Sequence, residues 1–299
     1  MVDAGAAVRR VGRSSDASLV YGCAKFPCLT DQARERALQR QLEEFELAAR
    51  DFPVRFERRI IEVPRRGGTV EVPLHLYSVD GQFAGRPVLL LSGGVDTWKM
   101  DVHPWCETFT LNAGVGVLAF DHPGTGETRI PLDGHADEVV RGIADYARGI
   151  GDGRVAHFGA SFGGNFAAMS GLAGIVDAAV DLGGPVVDSF HQENLAKLPF
   201  GMHDILGNAM GWDHSPTPTE LRAGLDELSR RDLLAQQTNS AMLVINGADD
   251  VFIPRSDTLV FEGRRDTEVH LLPDSGHVAV SKAAEVVPMV VDWLRRHLP

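Results

Sequence analysis

One serine in this sequence stands in the setting that a nucleophile requires. Gly159-Ala160-Ser161-Phe162-Gly163 matches the pattern G-x-S-x-G. The residues before it, 154–158, have the composition of a short buried strand, and residues 162–172 that of a helix rich in alanine and methionine. A strand, a tight turn and a helix form a nucleophile elbow, which exposes the serine hydroxyl to a base. The chemistry predicted for Ser161 is attack on a carbonyl carbon.

A serine hydroxyl is a weak nucleophile, so it needs a base to take its proton and a third group to orient that base. His277 lies in the loop that follows the last predicted strand and precedes the C-terminal helix. A loop in that position can direct an imidazole at the elbow. His277 is therefore the predicted base.

Two adjacent aspartates are candidates for the acid. Asp249 and Asp250 follow a predicted strand, and because adjacent side chains point in different directions, only one can face the imidazole. Gly247 and Pro254 place Asp250 in the acid position of the pattern G-x-x-D-x-x-x-P. Asp250 is the predicted acid, and Asp249 is the alternative. The order Ser, Asp, His is the one found in α/β hydrolases.

An oxyanion hole needs two backbone N–H groups directed at the developing negative charge. The N–H of Phe162 is predicted to supply one, because it follows the nucleophile at the start of a helix. The turn Ser92–Val95 follows a buried strand and is predicted to supply the other. Gly94 and Val95 are both candidates for this second donor.

Strands and helices alternate along most of the chain, which indicates a mostly parallel, twisted α/β sheet with helices on both faces. Continuous apolar runs predict the core strands at 87–92, 115–120, 155–158, 178–182, 242–246 and 269–272, and a hairpin pairs 60–63 with 70–77. Helices are predicted at 137–149, 162–172 and 283–297. The predicted α/β core therefore comprises residues 55–184 and 241–299.

Two segments lie outside this alternation. Residues 185–240 contain helix-like pieces and no strong strand, so they are predicted to form a helical cap over the carboxyl ends of the strands, where such sheets bind ligands. Residues 1–54 are predicted to combine a disordered tip, up to about residue 18, with a helix at 30–50 that is capped by Thr30 and forms part of a lid.

The composition is that of a soluble globular protein, with 44% hydrophobic and 23% charged residues. A net charge of −12 disfavours nucleic acid and anionic membranes as partners, so a small-molecule substrate is expected. Three cysteines without close pairs indicate reduced thiols, and neither a metal site nor a cofactor is predicted. Arg9-Arg10 is not followed by an apolar segment, so a cytoplasmic location is expected.

Beyond the triad, the chain resembles the α/β-hydrolase superfamily over about residues 55–299. The segment Ser92–Asp101 resembles the pattern G-G-x-[DE]-[ST]-x-K-x-[DE], and Asp121–Glu127 resembles D-x-P-G-x-G-E. Both belong to the subgroup that includes the fermentation–respiration switch protein, fungal heptaketide hydrolyases and bacterial 2,6-dihydroxypseudooxynicotine hydrolase. We interpret the charges at Asp96, Lys99 and Asp101 either as a structural ion pair that orders the loop or as part of the site entrance.

This resemblance implies a serine hydrolase that cleaves an ester, or a carbon–carbon bond beside a ketone, in an aromatic or polyketide-like substrate. It also suggests a homodimer. The residues predicted to line the substrate pocket are Trp98, His122, Phe162, His191, His203 and Trp212. Two alternatives use the same residues: an acyltransferase, cyclase or thioesterase-like enzyme of polyketide biosynthesis, and a ligand-binding protein without turnover.

Overall fold

A single mixed sheet positions the candidate residues. The computed structural model describes residues 14–298, and its eight strands follow the order β1-β2-β4-β3-β5-β6-β7-β8. Strand β2 is antiparallel to both of its neighbours, and the other neighbouring pairs are parallel. The strands are β1 (Arg55–Arg65), β2 (Gly68–Ser78), β3 (Val88–Ser92), β4 (Gly116–Phe120), β5 (Val155–Ala160), β6 (Ala178–Leu182), β7 (Ala241–Gly247) and β8 (Thr267–Leu272). The mostly parallel α/β sheet is confirmed.

The predicted antiparallel hairpin lies at one edge of the sheet and closes in a tight turn. Arg65 pairs with Gly68, which leaves Arg66 and Gly67 as a two-residue connection. Both residues have positive φ, 51° and 74° respectively. Two-residue hairpin turns of this kind match the right-handed twist of the strands, and glycine adopts positive φ without steric cost.

The central strands carry continuous apolar runs because helices cover both faces of the sheet. Every residue of β3, β4, β5 and β6 is buried. Four longer helices pack around the sheet: α3 (His103–Asn112), α4 (Ala136–Ile150), α5 (Phe162–Leu172) and α11 (Ala283–His297). The predictions for α4, α5 and α11 are confirmed, with α4 one residue longer at each end.

The N-terminal region differs from its prediction. Helix α1 (Ser14–Lys25) begins where disorder was expected, while residues 1–13 of the predicted tip lie outside the described residues. Helix α2 (Gln32–Ala48) is capped by Asp31, whose carboxylate accepts hydrogen bonds from the N–H groups of Ala33 and Arg34. The hydroxyl of Thr30 instead accepts a bond from the Arg34 guanidinium. Asp31 therefore has the capping role predicted for Thr30.

Residues 185–240, which we call the cap segment, contain four short helices. These are α6 (Gln192–Leu195), α7 (Met202–Ala209), α8 (Pro218–Leu225) and α9 (Arg231–Leu234). A further short helix, α10 (Arg255–Leu259), belongs to the core and follows β7. The Asp257 carboxylate on α10 accepts hydrogen bonds from four consecutive N–H groups, those of residues 186–189. This contact fixes the start of the cap segment against the core.

Candidate active site

Ser161 occupies a strained turn between β5 and α5. Its φ is +55° and its ψ is −129°, a conformation that serine rarely adopts. The turn is held by hydrogen bonds from Ser161 N–H to the Leu182 carbonyl and from Gly164 N–H to the Ser161 carbonyl. A Cβ at Gly159 would lie 2.0 Å from the Gly163 carbonyl oxygen, so strand and helix approach this closely only because residue 159 is glycine.

The structure brings the three candidate triad residues together in one hydrogen-bonded line. His277 Nε2 lies 2.8 Å from Ser161 Oγ, and His277 Nδ1 lies 2.7 Å from Asp250 Oδ2. An ionised carboxylate can only accept a hydrogen bond, so Nδ1 carries the ring proton and donates to Asp250. This tautomer leaves the lone pair of Nε2 free to accept the serine proton. Ser161 Oγ is already within hydrogen-bond distance of His277 Nε2, so the proton can pass between them without a side-chain rearrangement.

The environment of Asp250 keeps this carboxylate ionised although it is inaccessible to solvent. Burial by itself raises the pKa of Asp250, but hydrogen bonds from His277, the Phe252 N–H and Asn246 outweigh it and hold the pKa below the ordinary value. Asp249 is exposed and faces Arg255, 3.4 Å away. Of the two aspartates, Asp250 is the one that contacts the imidazole.

Asn246 is a residue that the sequence reasoning missed. It is fully buried at the end of β7. Its Nδ2 donates to Asp250 Oδ2, while its Oδ1 accepts from Val278 N–H, next to the histidine. Asn246 therefore connects the loop that carries Asp250 to the loop that carries His277. The signal available in the sequence was a polar residue at the end of an otherwise apolar strand.

The candidate oxyanion donors lie on both sides of the nucleophile. Phe162 is the first residue of α5, so its N–H has no acceptor within the helix. On the other side, a Cβ at Gly94 would come within 3.0 Å of Ser161 Oγ, which places the turn of Gly94 and Val95 directly against the serine. Both candidates for the second donor, Gly94 and Val95, remain open.

The cavity beside Ser161 is small and mostly apolar, with a volume of about 100 Å³. Much of its lining comes from the cap segment. The residues around it, besides the serine and the histidine, are Val95, Asp96, Phe162, Pro185, Ser189, Phe190, Leu195, Leu198, Met202, Leu206, Leu225, Phe252 and Ile253. Of the six predicted pocket residues, Phe162 lines this cavity.

Two of the other predicted pocket residues pack behind the oxyanion elements instead. Trp98 is buried, and its Nε1–H donates to the Val95 carbonyl at 3.1 Å, which braces the turn that carries a candidate donor. His122 is buried with its ring 5.5 Å from that of Phe162, and burial lowers the pKa of His122 to about 4. Both residues support the site and do not line the cavity.

The remaining three predicted pocket residues are held by contacts within the cap segment. His191 Nε2 contacts the Arg231 guanidinium, and His203 Nε2 donates to the Leu195 carbonyl. The Trp212 ring stacks on that of His214. The prediction of His191, His203 and Trp212 as lining residues is corrected, because polar and aromatic residue types do not reveal which face of a short helix meets the cavity.

Residues 6–298 of the chain match the family model described as esterase FrsA-like. The chain belongs to this family. FrsA-like relatives include the proteins named esterase FrsA from Yersinia pestis and Yersinia pseudotuberculosis, each 26% identical over 269 residues. The match covers 86% of this chain and 64% of each relative, so the chain spans less than two thirds of their length.

Solved structures identify the fold as that of an α/β hydrolase. The structure of 2,6-dihydroxy-pseudo-oxynicotine hydrolase has a TM-score of 0.80 and 21% sequence identity, over 94% of this chain and 79% of that one. AbyA5 has a TM-score of 0.78 and 21% identity, over 98% of this chain and 91% of the other. The predicted resemblance to this subgroup is confirmed.

The lysine of the FrsA-like segment Ser92–Asp101 pairs differently from the prediction. Lys99 is fully buried, and its Nζ contacts Asp121 Oδ2 at 2.5 Å and Glu127 Oε2 at 2.8 Å. Asp101 instead contacts Lys25, 2.5 Å away. The ion pair therefore joins the loop after β3 to the loop after β4, because their burial against each other brings charges that are distant in sequence into contact.

No helix among residues 14–298 is long and apolar enough to cross a membrane. No cluster of three or more histidine, cysteine, aspartate or glutamate side chains there has an arrangement that could hold a metal ion.

Proposed function

We propose that this chain is a serine hydrolase whose nucleophile is Ser161. The observation that carries the proposal is the continuous line of hydrogen bonds from Ser161 through His277 to the buried carboxylate of Asp250. Membership of the esterase FrsA-like family supports it independently. A protein that only binds a ligand has no need for this combination.

The geometry supports a two-step reaction. Ser161 Oγ attacks the substrate carbonyl carbon while its proton passes to His277 Nε2, and the Phe162 N–H with that of Gly94 or Val95 stabilises the oxyanion. The leaving group takes the proton from His277 and departs, which leaves an acyl group on Ser161. A water molecule then gives a proton to His277 and attacks the acyl carbon, which releases the acid and restores the serine.

The apolar lining of the cavity supports a substrate whose reacting carbonyl carries a small apolar group. An ester and a carbon–carbon bond beside a ketone both suit this first step. They differ in the leaving group, because a carbon leaving group departs as an enolate and needs the proton of His277 more than an alkoxide does. We propose ester hydrolysis as the main activity, on the family description, and carbon–carbon cleavage as the alternative, on the likeness to the pseudo-oxynicotine hydrolase.

Replacement of Ser161 by alanine tests the proposal. The variant should lose hydrolysis of p-nitrophenyl acetate by at least a factor of about 10³ and should lose covalent labelling by a fluorophosphonate probe. Ser189→Ala is the matched control, because Ser189 lines the same cavity and its hydroxyl has no hydrogen-bond partner among the described residues. Full activity in Ser161→Ala, or labelling that persists, would contradict the proposal.

A matched ester and β-diketone with the same small acyl group would separate the two bond types. Faster turnover of the diketone would make carbon–carbon cleavage the main activity. The homodimer, the cytoplasmic location and the polyketide-like substrate class stay predictions.

A further inference from the structure

A second cavity lies next to the catalytic one, between the N-terminal helices α1 and α2 and the loop that follows β3. Its volume is about 500 Å³, against about 100 Å³ for the cavity beside Ser161. Asp96 lines both cavities. Since the catalytic cavity holds only a small group, the rest of a larger ligand needs another space, and the second cavity provides it at a shared residue.

The walls of the second cavity are mainly apolar and aromatic. Three phenylalanines, Phe26, Phe45 and Phe52, lie around it together with Leu19, Ala48 and Met100. Aromatic faces of this kind attract flat apolar bodies and also organic cations. The polar groups in the lining therefore decide which charge the cavity favours.

Three charged side chains line this cavity, and their charges do not sum to zero: these are Lys25, Asp96 and Asp101. Lys25 is buried against Asp101, with 2.5 Å between Nζ and Oδ2, and it also lies over the Trp98 ring. His103 adds no positive charge at neutral pH, because burial lowers the pKa of its ring to about 4. With Lys25 and Asp101 paired, the carboxylate of Asp96 remains, and the lining carries one negative charge in excess.

Asp96 lacks a cationic partner within the described residues. Its carboxylate accepts a hydrogen bond from the Thr97 hydroxyl, at 3.2 Å, and no lysine, arginine or histidine among residues 14–298 lies within ion-pair distance. A carboxylate at the border of an apolar space interacts favourably with a positive group that enters from that space.

We propose that this second cavity binds a protonated amine carried on an aromatic or aliphatic body, with the ammonium group against Asp96. The ammonium neutralises the excess charge, and the body packs among the phenylalanines. Because Asp96 also borders the catalytic cavity, the cavity serves as the subsite for the amine-bearing part of the substrate. This last step rests on the proposed function, whereas the binding preference itself does not.

Binding is measured without turnover in the full chain carrying Ser161→Ala. Calorimetric titration compares 2-phenylethylamine with its neutral counterpart 2-phenylethanol near neutral pH, where the amine is protonated. The amine should bind at least about tenfold more tightly, which corresponds to about 1.4 kcal/mol. Asp96→Asn should remove this preference, while Asp145→Asn, which makes the same charge change on an exposed position of α4, should retain it.

Cys23 provides a readout at the cavity itself. It is exposed and lines the cavity, whereas Cys28 and Cys106 are buried. The amine should slow alkylation of Cys23 by N-ethylmaleimide, and 2-phenylethanol at the same concentration should slow it less. In Asp96→Asn the two compounds should protect equally.

Each outcome decides a separate point. Equal affinities of amine and alcohol, a preference that survives Asp96→Asn, or binding that leaves Cys23 unprotected would overturn the assignment of the cavity. In the active wild type, the amine should raise the KM for p-nitrophenyl acetate without changing kcat. Tight binding without this competition would overturn the substrate-subsite step alone. An absence of turnover of both the ester and the β-diketone would refute the proposed function while leaving the binding result intact.

Discussion

Lys99→Met should destabilise the protein strongly, although Lys99 does not touch the cavity. Lys99 is fully buried, and it neutralises Asp121, which is 1% exposed in its side chain. Methionine fills a similar volume but leaves the Asp121 carboxylate buried without a cation. Removing one partner of a buried pair costs about 3–5 kcal/mol. This is a large fraction of the roughly 5–15 kcal/mol by which proteins are stable.

The loss should depend on pH with a defined sign. In the wild type, burial raises the pKa of Asp121, but the charge and hydrogen bonds of Lys99 outweigh it and hold the pKa below the ordinary value. The lowered pKa of Asp121 contributes to the free energy of unfolding above about pH 4, and this contribution is lost as the pH falls through the pKa of Asp121 in the folded protein. In the variant the ammonium group is lost, and only the backbone N–H groups of residues 99 and 127 still oppose burial. The pKa of Asp121 is therefore higher than in the wild type, and the variant regains stability as the pH falls through this raised pKa. The difference between the two proteins should therefore be larger near pH 8 than near pH 5.

Urea unfolding followed by tryptophan fluorescence measures both effects. Lys197→Met is the control, because Lys197 is exposed in the cap segment, and it should change the free energy of unfolding by at most about 0.5 kcal/mol. The double variant Lys99→Met/Asp121→Asn should be more stable than the sum of the single changes, since it removes the uncompensated charge. A loss below about 1 kcal/mol that does not vary with pH would refute the reasoning.

Two further predictions concern catalysis. Asp250→Asn should lower kcat for p-nitrophenyl acetate by a factor of about 10³–10⁴, because the imidazole loses the carboxylate that holds its tautomer. The control Asp249→Asn should change kcat by less than about twofold. Similar losses of kcat in the two variants would contradict the assignment of Asp250 as the acid. Gly94→Ala should lower kcat by about 10², because the new Cβ would lie 3.0 Å from Ser161 Oγ and displace it. Gly149→Ala, where a Cβ meets nothing within 4 Å, should keep wild-type kcat, and unchanged circular dichroism would show that both variants fold.

The geometry of the candidate triad was accessible from the sequence because each member lies at or shortly after the end of a strand. Ser161 follows β5, Asp250 follows β7 and His277 follows β8, so parallel strands carry all three to one edge of the sheet. Apolar runs reveal such strands without knowledge of their partners. The choice between Asp249 and Asp250 needed only a short local pattern, and the structure places Asp250 against the imidazole.

The cavity lining was not accessible in the same way. Leu195, Leu198 and Met202 line it, yet in the sequence they look like ordinary apolar residues of short helices. The residues chosen for their chemistry, such as His203, make hydrogen bonds within the cap segment instead. The faces of these helices are set by tertiary contacts, which override local propensity in helices of four to eight residues.

Hydrogen bonds to the helices α10 and α5 of the core hold the cap segment at its start and near its end. Asp257 holds the N–H groups of residues 186–189 at the first end. Near the second end, the Arg230 N–H donates to the Val186 carbonyl and the Arg230 guanidinium donates to Asn165 on α5. The cavity-lining residues of the cap segment lie mainly between these anchors. We therefore expect substitutions between the anchors to reshape the cavity beside Ser161 while the hydrogen bonds that join Ser161, His277 and Asp250 stay in place.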